Sequence, residues 1–224
     1  PQVALPNEVR LFEWLHRALA QADDERALLN QRDAFRDHLR AELPAMVRRY
    51  YEELAPTALW WGDKNPHYAE SEATLQTIVS LFPGARFIHI VRDPRAVVTS
   101  LMRKKHLDGT DWTHPEYAHE LTGQHLGIAS KFGADRGTEH FYEFRYEDLV
   151  ADDEGVAKAL FEWLRIPFTE DVASFCREQR IERTSFSGPT TDLSQAGNRD
   201  AVRAAWADLA QPAEQHRSLE FLAP

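Results

Sequence analysis

Cysteine is nearly absent from this 224-residue chain: Cys176 stands alone, so no disulfide can form within the chain and a disulfide-stapled scaffold is excluded. Long apolar runs are absent too. The longest, Phe87–Val91, is strand-sized and carries His89, whereas a membrane-spanning helix needs about 18–20 apolar residues. Basic charge is in deficit, with 26 Lys and Arg against 36 Asp and Glu and a formal net charge of −10. That balance argues against a nucleic-acid partner, which normally meets a broad basic face. There is no repeat and no low-complexity tract. His16, His38 and His125 stand at no metal-ligand spacing, so no metal is expected. The lone cysteine fits a reducing compartment, and a cytoplasmic protein is expected.

What is present can fold. The chain is 43% hydrophobic and 28% charged, enough to bury a core, and its length suits one domain over residues 1–224. Pro1 to Leu5 is β-prone. Leu11, Leu15, Ala18 and Leu19 then recur at helical spacing, Gln21 to Arg40 continues with helix formers, and Leu43 to Leu54 predicts another helix, the region being punctuated by Pro44, Pro56 and Gly62. Leu59-Trp60-Trp61 reads as a short strand running into a polar turn, Gly62 to Pro66. A helix over Tyr68 to Phe82 follows, stopped by Pro83-Gly84. Arg86 to Val91 is a strand. After it, Asp93 has the chemistry of an N-cap and Pro94 that of a first helical position. Residues 116–132 predict a helix, Phe141 to Tyr146 a strand, Glu147 to Val150 a turn, and 156–164 and 168–180 further helices. Residues 184–198 read as a loop and 201–209 as a last helical segment. Strands alternating with helices imply an α/β fold with a parallel sheet flanked by helices. Such sheets bind ligands beyond the carboxyl ends of their strands.

Two polar turns stand at such ends. Arg92 leaves the Phe87–Val91 strand with a planar fork that matches phosphate oxygens, and the helix after it aims its first amides the same way. Ser100, eight residues on, falls on roughly the same helical face. The alternative for this turn is a structural ion pair between Arg92 and Asp93. The other turn carries Lys64, with Asp63 placed to cap it and orient the lysine.

Phe87-Ile88-His89-Ile90-Val91-Arg92-Asp93-Pro94-Arg95-Ala96-Val97-Val98-Thr99-Ser100 resembles the signature of sulfotransferases that use 3′-phosphoadenosine 5′-phosphosulfate (PAPS). Gly62-Asp63-Lys64-Asn65-Pro66 is similar to an earlier turn of that family, and Phe144 to Val150 to a later strand and turn. The resemblance covers Pro1 to about Leu164 and is strongest to the bacterial and tyrosylprotein branch. It implies a P-loop-NTPase-like sulfotransferase fold, with PAPS as cosubstrate and adenosine 3′,5′-bisphosphate (PAP) as product. It further implies that Arg92 and Ser100 grip the 3′-phosphate and that Tyr146 borders the nucleotide. Arg199, with Arg203 near it, would bring a basic side chain to the same phosphate. Lys64 would neutralise the bridging and sulfonate oxygens.

Glu8-Val9-Arg10 matches the spacing of that branch's catalytic Glu-x-Arg, which makes Glu8 the first choice of base and Arg10 a substrate-binding side chain. His67 is the second choice and Glu13 the third. Pro66 occupies the position where cytosolic relatives carry their catalytic histidine. The family's Gly-rich phosphosulfate loop has no counterpart here, so the resemblance implies a strand, loop and helix of about 25–30 residues upstream of Pro1. Its absence keeps open a nucleotide-binding module without transfer activity, and a phosphoryl-transferring P-loop enzyme is a third reading. The acceptor stays open as well, among small-molecule, carbohydrate and peptide hydroxyls or an amine.

Overall fold

The alternation of apolar strand formers with helical periodicity becomes parallel strands joined by helices. The computed structural model describes residues 3–4, 10–22, 32–97 and 115–185. They fall into two compact units, Pro1–Ala85 and Arg86–Pro224.

In the first unit, β1 (Val3–Ala4) pairs in parallel with β2 (Trp60–Trp61), Val3 opposite Trp60 and Ala4 opposite Trp61. Helix α1 (Leu11–Ala22) buries Phe12, Leu15 and Leu19, the 3–4 spacing of one helical face, and leaves Trp14 outward. Helix α2 (Arg32–Leu54) runs straight through Pro44, the expected break. Proline lacks the N–H for one helical bond, a loss of about 3 kcal/mol. Leu43, Val47 and Tyr51, four residues apart, are all buried on the inner face. Burial at about 1.5–3 kcal/mol per side chain offsets the proline. Tyr51 stacks on Trp61, with ring centroids 4.5 Å apart and planes within 12°. Trp61 meets Phe82 edge-on, and Phe12 meets both Tyr68 and Phe82 edge-on.

The helix expected over Tyr68 to Phe82 is two pieces. A 3₁₀ stretch, Pro66–Glu70, is followed by Ser71 in extended geometry (φ −143°, ψ 115°), and α3 covers Glu72–Leu81. The Ser71 side chain accepts from the Thr74 amide and so prefers the cap position to a helix interior.

In the second unit, β3 (Phe87–Val91) pairs in parallel with β4 (Phe141–Arg145) in an unbroken register, Phe87 opposite Phe141 through Val91 opposite Arg145. Helix α4 (Pro115–Arg136) leads into β4, and its Phe132 is fully buried edge-on against Phe87. Where a turn is expected after β4 there is a short helix, α5 (Tyr146–Ala151). Glu147 and Asp148 in its first turn suit the positive end of a helix dipole, which favours the helical form. Helix α6 (Asp153–Leu164) starts on Asp152, whose carboxylate accepts from the Gly155 amide at 3.0 Å. It ends at Arg165 in the left-handed region (φ 59°). Helix α7 (Glu170–Ser185) follows. No helix among the described residues is long and apolar enough to cross a membrane.

Candidate functional site

The register of β3 and β4 dictates what meets beyond their ends. With Val91 opposite Arg145, the next residues leave side by side: Arg92 next to Tyr146, Asp93 next to Glu147. The Arg92 guanidinium lies over the Tyr146 ring, 4.8 Å from its centroid. The Asp93 amide donates to Glu147 Oε1 at 2.9 Å. Pro94 opens the helical turn of residues 94–97, in which the Val97 amide donates to the Asp93 carbonyl at 3.1 Å.

Asp93 caps that turn as its sequence predicts, accepting from the Arg95 amide at 2.9 Å. Arg95 also closes on it with its side chain, Nε to Oδ1 at 3.1 Å and Nη2 to Oδ2 at 2.8 Å. The Arg95 guanidinium holds the Asp93 carboxyl below the usual carboxylate range. The ion pair of this turn is therefore Asp93–Arg95, not Asp93–Arg92. Arg92 Nε is buried with no hydrogen-bond partner among the described residues. A guanidinium laid on an aromatic shelf has the planar fork that matches an oxyanion.

The turn after β2 is built differently. Lys64 is exposed. Beneath it the half-buried Asp63 accepts a hydrogen bond from the Tyr68 hydroxyl. Burial pushes the Asp63 carboxyl up, while that hydrogen bond and the Lys64 amide and ammonium pull it down. Burial is also the main cause that raises the Tyr51 and Tyr68 phenols, with Asp63 adding to both. Asn65 sits in extended geometry and caps the 3₁₀ stretch, its Oδ1 accepting from the His67 amide at 2.9 Å. Its Nδ2 donates to Glu13 Oε1 at 3.5 Å, and Glu13 Oε2 accepts from Arg10 Nε at 2.8 Å. The start of α1 is thereby tied to the lysine turn. The His67 ring sits against Glu70, Nδ1 to Oε1 at 2.5 Å.

Of the sequence-predicted residues, Arg92 and Tyr146 are brought together in the second unit. Arg10, Lys64 and His67 belong to the first. Glu8, Ser100 and Arg199 lie outside the described residues. Glu13, read from sequence as a third choice of base, accepts from Arg10 and Asn65. Sequence reading passed over Glu147 and Tyr68. The signal for Glu147 was there: aligning Val91-Arg92-Asp93 with Arg145-Tyr146-Glu147 as parallel neighbours pairs Asp93 with Glu147. Among the described residues, no group of three or more His, Cys, Asp and Glu is placed to hold a metal ion.

Comparison with known proteins gives these features a context. Residues 1–170 match the model of the sulfotransferase family. Two curated relatives, the omega-hydroxy-beta-dihydromenaquinone-9 sulfotransferases of Mycobacterium bovis and Mycobacterium tuberculosis, are each 30% identical over 118 residues. The match takes in 45% of this chain and only 27% of either relative's length. Among solved structures, the sulfotransferase domain of the Synechococcus PCC 7002 olefin synthase aligns over 99% of this chain and 92% of that one. The TM-score is 0.53 at 18% identity, a likeness of fold.

Proposed function

The chain belongs to the sulfotransferase family, and on that premise we propose that it transfers a sulfuryl group from PAPS to an acceptor hydroxyl and releases PAP. The acceptor oxygen attacks sulfur in line, the bond from sulfur to the bridging phosphate oxygen breaks, and the hydroxyl proton passes to a base. Such a transfer demands positioning and stabilisation of charge on the leaving and equatorial oxygens, as phosphoryl transfer does.

The observation that carries the reading is the Arg92 guanidinium, stacked on Tyr146 with its Nε buried and unbonded among the described residues. It suits the 3′-phosphate that distinguishes PAPS from common adenosine nucleotides. We assign Ser100 and Arg199 to the same phosphate and Tyr146 to the nucleotide's border. Lys64, on a turn anchored by Asp63 and Tyr68, is assigned to the bridging and sulfonate oxygens. Glu8 is our first choice of base and Arg10 a substrate contact. His67, whose ring sits against the Glu70 carboxylate, is our second choice.

A hydroxyl on a small molecule is the acceptor class that the curated relatives' name supports. The test is radiolabelled PAPS offered with a panel of lipid, small-molecule, carbohydrate and peptide hydroxyls. Labelled product should form in step with PAP. A protein that binds PAP tightly yet labels no acceptor would overturn the proposal.

A further inference from the structure

We infer that Glu147 is a positioning residue for the nucleotide's 3′-phosphate, acting through the backbone of the Arg92–Asp93 turn without touching the ligand. The inference presupposes the PAPS reading. It starts from a hydrogen bond that joins the turn after β3 to the first turn of α5, since the Asp93 amide donates to Glu147 Oε1 at 2.9 Å across 54 residues of sequence.

Asp93 is the hinge of its turn. Its carboxylate is engaged by the Arg95 side chain and amide, and its carbonyl accepts from Val97. That fixes Asp93 on its helical side. The Glu147 bond fixes it on the other, through the peptide that joins it to Arg92. The following element, α5, supplies both supports for the arginine: Tyr146 as the surface under the guanidinium, Glu147 as the acceptor for the next amide. The Glu147 side chain is only 20% exposed, and its second oxygen lies 3.6 Å from Arg145 Nε. Hydrogen bonds to charged acceptors are the stronger kind, and water-poor surroundings strengthen this one further.

A carboxylate beside an anion site is electrostatically unhelpful. Its charge repels the ligand, and a neutral side chain would repel less. The geometry thus separates two roles. If Glu147 serves through its hydrogen bond, an amide of equal length replaces it. If it serves as a charge elsewhere in the fold, an amide does not.

The experiment is calorimetry of PAP and of adenosine 5′-monophosphate binding to the full chain and to Glu147→Ala, Glu147→Asp and Glu147→Gln. The Ala variant should bind PAP about tenfold more weakly, a part of what one charge-assisted hydrogen bond is worth. The Asp variant keeps the charge but falls short of the amide, and should lose about as much. The Gln variant should stay within about threefold of the wild type or bind tighter, and adenosine 5′-monophosphate should change by less than about threefold throughout. Equal loss for both nucleotides would mean general loosening and would overturn the inference. Unchanged PAP binding in the Ala and Asp variants would overturn it as well, and the Asp variant decides the matter where the Ala variant does not fold. A wild type that shows no preference for PAP over adenosine 5′-monophosphate would sink the PAPS reading itself, and is distinguished by needing no variant at all.

Discussion

Replacing Arg92 by alanine removes the side chain on which the 3′-phosphate assignment rests, and the structure sets the size of the effect. Asp93 is already paired with Arg95, so Arg92 is not neutralised by its sequence neighbour. Its Nε is buried without a partner among the described residues, and its plane is set by the Tyr146 ring at 4.8 Å. The fork is thus oriented before the ligand arrives, and little rotamer entropy is lost on binding. Two charge-assisted bonds to one phosphate, partly offset by desolvation, come to about 3 kcal/mol, or roughly a hundredfold in Kd for PAP. Arg92→Lys keeps the charge but loses the fork and the flat stack, so a loss of about tenfold is expected. Adenosine 5′-monophosphate has no 3′-phosphate, and its affinity should change by less than about threefold. Alanine also forfeits the cation–π contact, about 0.5–1 kcal/mol, which lowers Tm by a few degrees and leaves the fold intact for calorimetry at 25 °C. The reasoning is refuted if Arg92→Ala binds PAP as the wild type does, or if both nucleotides lose affinity equally.

Three further outcomes concern stability and pH. The Tyr51 hydroxyl is buried with no hydrogen-bond partner among the described residues, while its ring stacks on Trp61. Tyr51→Phe should therefore be neutral or stabilising by about 1 kcal/mol in urea unfolding, and a loss of that size would show that the hydroxyl is bonded. A Cβ at Gly133 would meet the Phe141 ring at 2.4 Å, so Gly133→Ala should cost about 1–3 kcal/mol in the same assay. A cost near zero would mean that the ring moves aside freely. The folded-state pKa of Asp93 is depressed, chiefly by the Arg95 side chain, so its contribution to stability is present above about pH 4 and lost as pH falls through the depressed value. Asp93→Asn should flatten that acid limb while keeping a capping side chain, and an unchanged limb would place the acid sensitivity elsewhere.

Much of this was legible in the sequence because the chemistry is local. Asp93-Pro94 announces an N-cap and a first helical position, and the structure has both. Val91 and Arg145 end two strands of equal length, and parallel pairing of the two was expected from the alternation of elements. What escaped was tertiary. Pro44 reads as a break until the burial of Leu43 and Val47 is known. The Arg92–Asp93 and Asp93–Arg95 pairings are equally available by spacing, and only the course of the turn chooses between them. Tyr68 reaches Asp63 because Pro66–Glu70 winds as a 3₁₀ helix, a geometry that helical periodicity alone does not separate from an α-helix. The helix after β4 was hidden behind acidic residues that suit a turn as well as a first helical turn. Glu8 and Arg199, drawn from family resemblance, and Ser100, drawn from helical spacing and the resemblance together, lie outside the described residues and stand as proposals.

The central claim is sulfuryl transfer with Lys64 at the transferred group, and one measurement reaches it directly. Wild type and Lys64→Ala are compared for PAP affinity and for labelled sulfate transfer from PAPS to whichever hydroxyl acceptor the wild type uses. Lys64 is exposed on a turn held by Asp63, Tyr68 and Asn65, so its removal should leave the fold and the 3′-phosphate contacts in place. The account predicts PAP binding within about threefold of wild type and transfer slowed by about a hundredfold or more, the scale of losing one preorganised charge from a transition state. Transfer at the wild-type rate in Lys64→Ala would contradict it.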